Sequence, residues 1–238
     1  MKKVSLILLT IDRFEITRKT IDRALKNSGH SNIELLVIDN GSTDRKVIDY
    51  IASLNPAVHI LHDENKGMQY SQNLLLTKST GDYICFIGND ILLPENWLAD
   101  LIFFNDCIPD SGISGIHCVM HKPEIVEHNS VSIRKNETVF GTMFFNRKWF
   151  ETVGYVNECF APYGMDDSEY SFRSRRMGFV NYYLPNLSSE HIGHDVGEDS
   201  AYRRMKDEAL SKSEALFKIS CDNMDKNQMY YYKPNWIE

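Results

Sequence analysis

Three places in this 238-residue sequence carry side chains whose types and spacing could do chemistry. Asp90 follows the apolar run Tyr83-Ile84-Cys85-Phe86-Ile87 through Gly88-Asn89, which puts a carboxylate at the tip of a strand. A hard divalent cation needs oxygen ligands, and one or two carboxylates completed by substrate phosphates is the usual magnesium arrangement. Asn89 and Asp90 also suit a turn that caps the helix after Pro94. Asp166-Asp167, with Glu169 close behind, forms the second place. Acids stabilise a helix N-terminus, as Arg173, Arg175 and Arg176 would stabilise its other end. Yet this is more negative charge than a cap requires, and adjacent like charges raise one pKa, which suits a general base. The third is Glu190-His191-Ile192-Gly193-His194-Asp195, where imidazoles could join carboxylate and phosphate around manganese. Asp39, ahead of Asn40-Gly41-Ser42, can accept hydrogen bonds from a base N–H or ribose hydroxyls, or can simply build the turn.

The elements that must position these groups follow from the apolar pattern. Residues 4–9, 33–38, 58–61 and 83–87 are short apolar runs, the mark of strands buried on both faces. Between them, residues 14–25, 44–54 and 66–77 read as helices, and Pro94 opens another over 95–105. This alternation predicts an α/β architecture, a mostly parallel, Rossmann-like wound sheet with helices on both faces. Ligands of such sheets bind beyond the carboxyl ends of the strands. Thr10, Asp12 and Arg13, Asp39, and Asn89-Asp90 all fall there. The second half suggests strands at 113–120, 131–133 and 139–146 without intervening helices, hence a mixed region. A loop over 154–163, a helix over 166–177 stopped by Gly178, a strand over 180–184, a loop over 188–197 and a polar helix over 200–221 follow. The aromatic stretch from Tyr230 to Trp236 is expected to pin the C-terminal segment onto the domain. With no repeat or linker, one domain over 1–238 is expected: a nucleotide-binding half (1–110), an acceptor and catalytic half (111–198), and a terminal helix with aromatic tail (199–238).

Composition narrows the function classes. Hydrophobic residues make up 42% and charged residues 25%, which argues against disorder. A net charge of −7 offers no general nucleic-acid or anionic-membrane surface, although a local basic groove is compatible with an acidic total. Cys85, Cys107, Cys118, Cys159 and Cys221 are widely spaced and contain no Cys-x-x-Cys pair, which fits free thiols of a reducing cytoplasm. No stretch is long enough to span a bilayer. The expected setting is therefore cytoplasmic, with peripheral contact at the inner face of a membrane if the acceptor is lipid-linked.

The motifs, taken in order, resemble the family 2 inverting glycosyltransferases of the GT-A fold. The ordered set is Thr10-x-Asp12-Arg13, Asp39-Asn40-Gly41-Ser42-x-Asp44, Asn65-Lys66-Gly67 with Asn73, and Gly81-Asp82-Tyr83 leading into Gly88-Asn89-Asp90. Gly141-Thr142-Met143-Phe144-Phe145 with Arg147, then Asp166-Asp167 with Arg173 and Gly178, continue it. The resemblance implies that Thr10, Asp12 and Asp39 grip the base and ribose, with Arg13 and Asn89 beside the donor. Lys66 and Asn73 fall in the region that contacts ribose or phosphate, though a solvated surface lysine suits Lys66 as well, and Asp44 is better read as a helix cap. Asp90 aligns with the last carboxylate of the family's Asp-x-Asp metal motif. His191, ahead of His194, is the expected histidine ligand of a divalent cation, Mn2+ or Mg2+. Gly88 stands where the first Asp belongs; members resembling rhamnosyltransferases carry Asn-Asn-Asp there. Asp167 is the implied base and Asp166 its positioning partner.

The chemistry implied is transfer of a sugar from a nucleotide-diphosphate donor to an acceptor hydroxyl on a glycan or glycoside, with inversion. Nucleotidyltransferase and dehydrogenase readings need a glycine-rich loop after the first strand, and Leu9-Thr10-Ile11-Asp12-Arg13 has none. The competing reading is an inert nucleotide- or glycan-binding member of the same fold, for which Gly88 is the argument.

Overall fold

The computed structural model describes residues 1–118, 123–161, 163–193, 201–227 and 231–238. His194 lies outside them. The first half forms as the alternation dictates: β1 (Val4–Thr10), α1 (Phe14–Lys26), β2 (Ile33–Asp39), α2 (Arg45–Ser53), β3 (Val58–Leu61), α3 (Met68–Lys78) and β4 (Tyr83–Ile87). β1 pairs in parallel with both β2 and β4, and β2 pairs in parallel with β3. The continuous apolar runs serve two cores at once. Leu6, Leu8, Val37 and Cys85 face Ile21 of α1 and Val47 and Ile51 of α2. Their alternate neighbours Ile7, Leu36, Ile38 and Phe86 face Leu75 and Leu76 of α3. Successive side chains of a strand point to opposite faces, so a strand covered on both sides must be apolar throughout.

The remaining elements are β5 (Ile91–Leu92), α4 (Trp97–Cys107), β6 (Ser111–His117), β7 (Val126–His128), β8 (Val131–Lys135), β9 (Thr142–Asn146), α5 (Arg147–Val153), a 3-10 turn (Glu158–Phe160), α6 (Asp166–Arg176), β10 (Val180–Ser188), β11 (Glu190–His191) and α7 (Ala201–Asn227). The main sheet runs β3-β2-β1-β4-β9-β6-β10-β8-β7. β9 is antiparallel to both β4 and β6, which makes the second half mixed. The helix after Pro94 starts later than expected, at Trp97, because Asn96 takes a left-handed conformation (φ 60) and breaks the chain's path there. β9 starts at Thr142 rather than 139 because Gly141 has φ 78, outside the strand region. Two short strands that the pattern does not announce, β5 and β11, pair antiparallel and form a separate ribbon.

The C-terminal tail does pin onto the domain. The Tyr155 N–H donates to the Tyr232 carbonyl at 2.8 Å, and the Trp236 indole N–H reaches both oxygens of Glu158. Beneath it lies an ion pair buried on both sides: Arg173 Nε is 2.7 Å from Glu169 Oε1, with the side chains 2% and 1% exposed. Arg173 also donates to the carbonyls of Val153 and Tyr155. It therefore fastens α6 to the chain that follows α5, rather than serving the end of its own helix. Removing one partner of such a pair strands the other charge and costs about 3–5 kcal/mol. Arg173→Met should lower the melting temperature by about 10 °C in calorimetry, whereas Arg176→Met, at an exposed pair with Asp225, should change it by about 2 °C or less.

Candidate active site

The β5–β11 ribbon brings together residues a hundred positions apart. After β4 the chain turns through Gly88-Asn89-Asp90, held by the Gly88 N–H to the Gly141 carbonyl (2.8 Å) and the Ile91 N–H to the Gly88 carbonyl (3.3 Å). Ile91 then pairs with His191, and the Ile192 N–H donates to the Asp90 carbonyl at 2.9 Å. His191 Nε2 consequently lies 3.2 Å from Asp90 Oδ1, both side chains part-buried and reachable from solvent. Arg13 stands on the other side, with Nη1 3.9 Å from Asp90 Oδ2 and Nη2 donating to the Gly193 carbonyl at 3.5 Å. Asn89 is half-buried in the turn between them. Among the described residues no group of three His, Cys, Asp or Glu side chains converges on one point. Asp90 and His191 are a carboxylate–imidazole pair of the kind manganese accepts, with substrate oxygens to complete the shell. The donor set fits the cation, with fewer protein ligands than an Asp-x-Asp motif would give.

Gly193 is packed against that pair. A Cβ there would fall 1.9 Å from Asp90 Oδ2, so any side chain must displace the carboxylate. Gly193→Ala should weaken manganese binding, read by titration calorimetry in the presence of a nucleoside diphosphate, by tenfold or so. An unchanged affinity would show that Asp90 does not hold the ion.

The donor-side residues divide. Asp12 and Arg13 are successive left-handed residues (φ 46 and 55), a conformation that costs energy for side chains with a Cβ. The Asp12 carboxylate offsets this by accepting from the N–H groups of Thr43 (2.7 Å) and Asp44 (2.9 Å), and its own N–H donates to Ser42 Oγ. Asp12 thus clasps the loop after β1 to the loop after β2. The buried Asp39 does the same locally: Oδ1 accepts from Gly41 N–H and Ser42 N–H, and Thr10 Oγ1 lies 3.4 Å from Oδ2. Asp44 caps α2 through the Lys46 N–H, as expected. Lys66 is exposed, and its N–H donates to Asn40 Oδ1 at 3.1 Å. Asn40 also donates to Asn65 Oδ1 and bonds His62 Nδ1. It organises the whole 62–67 loop, although the sequence marks it only as a turn residue.

Asn73 requires a correction. It is wholly buried, donates to the Val156 carbonyl and Glu158 Oε1 (2.8 Å each), and accepts from the Val156 N–H at 2.9 Å. Both of its N–H donors are committed to the chain after α5, so it braces α3 there and offers nothing to ribose or phosphate.

Asp166 and Asp167 open α6 behind Met165, a left-handed residue (φ 61) that gives no side-chain cap. Asp166 is 4% exposed; burial, then the neighbouring Asp167 charge, push its carboxyl up to about 7. Burial raises Asp167 too, against the hydrogen bond from the Ser168 N–H to Asp167 Oδ1 (2.7 Å). Two adjacent acids that resist losing both protons are the arrangement a base near neutrality needs.

Residues 139–141 run between the two carboxylate centres. Gly141 holds Gly88, Val139 N–H donates to Ser171 Oγ of α6 at 3.1 Å, and Phe140 N–H donates to the Tyr183 hydroxyl. The Asp90 charge, after burial, raises the Cys118 thiol; burial raises the Tyr183 phenol, with Cys118 and Asp167 adding to it. Cys118, just after β6 and beside Gly141, is thus close enough to feel Asp90, and Tyr183, within β10, feels both Cys118 and Asp167. His117 packs edge-on to Tyr183 at 5.1 Å. None of the three has a spacing signal, because residues of different strands become neighbours only through sheet order.

The geometry agrees with what sequence comparison finds. The model of glycosyl transferase family 2 matches residues 5–161, more than half of the chain. The chain belongs to that family. An uncharacterized protein, y4gI, of Sinorhizobium fredii is 22% identical over 76% of this chain and 23% of its own length. The glycosyltransferase GlyG of Streptococcus pneumoniae is 31% identical over 34% of this chain and 28% of its own. The chain thus spans only about a quarter of the length of these curated relatives. Among solved structures, the mannosyltransferase PcManGT of Pyrobaculum calidifontis, in complex with GDP-Man and Mn2+, superposes with a TM-score of 0.66. It is 19% identical, covering 82% of this chain and 58% of its own. GalNAc-T7, with UDP, GalNAc and Mn2+, gives a TM-score of 0.66 at 13% identity over 80% of this chain and 44% of its own. This family 2 chain therefore has the GT-A fold. No described helix is long and apolar enough to cross a membrane.

Proposed function

We propose that this family 2 chain transfers a sugar from a nucleotide-diphosphate donor to a hydroxyl of a glycan or glycoside, with inversion. The observation that carries the reading is the Asp90–His191 contact of 3.2 Å, made across β5 and β11 at the carboxyl end of the sheet. The start of α6 carries, in Asp166 and Asp167, a carboxyl pair of raised proton affinity. The likeness in fold to PcManGT with GDP-Man and Mn2+ and to GalNAc-T7 with UDP and Mn2+ supports the same assignment.

Asp90 and His191 would hold a divalent cation, which supplies Lewis-acid neutralisation of the departing diphosphate. Arg13, beside Asp90, adds a fixed positive charge on the same side. Thr10, Asp39 and the loop that Asn40 organises present the base and ribose site, with Lys66 at its rim and Asn89 at the turn. Asp167 accepts the proton of the attacking hydroxyl, and the more deeply buried Asp166 shares and positions that negative charge. With one base and displacement from the far face, the anomeric configuration inverts. Holding donor and acceptor together supplies much of the remaining rate.

Gly88, where a carboxylate is missing, favours a second reading, an inert nucleotide- or glycan-binding member of the family. The deciding experiment incubates the chain with a panel of nucleotide sugars and manganese and follows donor hydrolysis. Slow release of sugar that vanishes with chelator is expected. Binding without any turnover would establish the inert binder, and no binding of any nucleotide would end the transferase reading.

A further inference from the structure

Trp97 and Trp149 are wholly buried, but Trp236 of the C-terminal tail stays 40% exposed. Its orientation is nonetheless fixed. The indole N–H donates to both oxygens of Glu158, at 3.0 and 3.1 Å, and the ring lies 5.0 Å from that of Tyr70. Tyr70 stands in the first turn of α3, just after Gly67, and also meets the His62 ring at 6.1 Å. His62 Nδ1 is 3.0 Å from Asn40 Oδ1. A carbonyl oxygen only accepts, so Nδ1 carries the hydrogen. The same Oδ1 accepts from the Lys66 N–H at 3.1 Å, while Asn40 Nδ2 donates to Asn65 Oδ1 and to the Gly67 carbonyl. A continuous row of contacts therefore runs from the tail, through Trp236, Tyr70, His62 and Asn40, to the loop over 62–67. The tail is already fastened without Trp236. The Tyr232 carbonyl accepts from the Tyr155 N–H, and its hydroxyl accepts from the Glu158 N–H at 3.2 Å. A tail held by burial alone would gain most by hiding its largest ring. Trp236 instead commits its one donor to a carboxylate and sets its ring against the start of α3.

We propose that Trp236 is a positioning residue for the nucleotide donor: through Tyr70 and His62 it holds the 62–67 loop in the shape that receives the nucleotide. The hold on the loop rests on ring contacts and hydrogen bonds alone; its consequence for the donor rests on the glycosyltransferase reading. Both ring pairs are tilted, at 50° and 40°, and lie within the usual range of aromatic contacts. Such pairs contribute modestly, so the expected effects are several-fold.

Backbone amide exchange, followed by NMR on the chain without ligand, tests the hold. Trp236→Ala should speed exchange at Lys66 and Gly67 by about three- to tenfold and leave the β1 amides as they are. Tyr70→Ala breaks the same row and should do likewise, and the double variant should go little further than the faster single one. Trp236→Phe keeps a ring against Tyr70 and should recover part of the protection. Trp236→Ala should also raise the donor KM, and the Kd for a nucleoside diphosphate with manganese, by about three- to tenfold, with kcat within about twofold. Exchange at Lys66 and Gly67, or the nucleotide Kd, unmoved in Trp236→Ala overturns the proposal, as do effects that add in full in the double variant. Exchange quickened throughout α3 with a collapsed melting temperature overturns it too, by making Trp236 a packing residue. If exchange quickens at the loop but the wild-type chain binds no nucleotide, the transferase reading fails and the hold on the loop stands.

Discussion

Asp167→Asn should reduce sugar transfer by about two to four orders of magnitude while leaving nucleotide binding within a few-fold. The base acts only on the incoming hydroxyl, so its loss appears in kcat and not in donor affinity. Asp166→Asn should be nearly as damaging, because the two carboxyls act as one unit and their effects do not add. Asp166 yields a second, opposite signature. Its folded pKa lies above the ordinary carboxylate value, so the native state holds a proton that the unfolded chain has released. Such a group contributes stability at low pH that is lost as pH rises through the folded value, about 7. The Asp166→Asn protein should therefore melt higher than wild type at pH 8 and show little advantage at pH 4. A variant that is both more stable and less active separates a catalytic carboxyl from a structural one. Transfer by the wild type should rise with pH across the neutral range, since the working form of the pair is the deprotonated one.

Asp90→Ala should abolish the dependence of nucleotide binding on manganese. In the wild type, a nucleoside diphosphate with manganese at about a hundred times Kd should raise the melting temperature by roughly 5–10 °C. The nucleotide with chelator should raise it much less. Asp90→Ala removes the carboxylate that His191 faces at 3.2 Å, so the two conditions should become alike. Transfer should fall by about two to three orders of magnitude with it. Gly88→Asp is the converse. The Cβ it adds lies 3.4 Å from Asp90 Oδ1 and 3.1 Å from the movable Ile91 Cγ1, so a second carboxylate fits with a small shift. It should tighten manganese binding, whereas a substitution in an inert binder should leave the melting temperatures as they were.

The sheet was legible in the sequence because strands buried on both faces must be apolar throughout, and β1, β3 and β4 fall where the runs place them. Asp90 and Asp166-Asp167 were legible because polar residues at element ends interrupt such runs. Element partners were harder. The β5–β11 ribbon is two short strands without a period, and nothing local to Ile91 or His191 indicates that they pair. Asn73 shows the reverse error, since its place in a motif matched the family while its side chain points into the brace around Val156. Asn40 and Tyr183 carry no local signal, as a hydrogen bond to a distant element leaves no mark on sequence spacing. His191 was separable from the other histidines only through the family resemblance, and pairing with Ile91 supplies the physical reason for its position.

Paramagnetic broadening by manganese tests the account most directly, since it reports distance from a bound ion without requiring turnover. With a nucleoside diphosphate present, small additions of Mn2+ should broaden the Asp90 carboxyl and His191 imidazole first. Asp166 and Asp167 should follow at slightly higher occupancy, while the exposed Asp49 and Asp106 stay sharp. If the resonances of Asp166 and Asp167 stay as sharp as those of Asp49 when Asp90 has vanished, the two centres do not share one site.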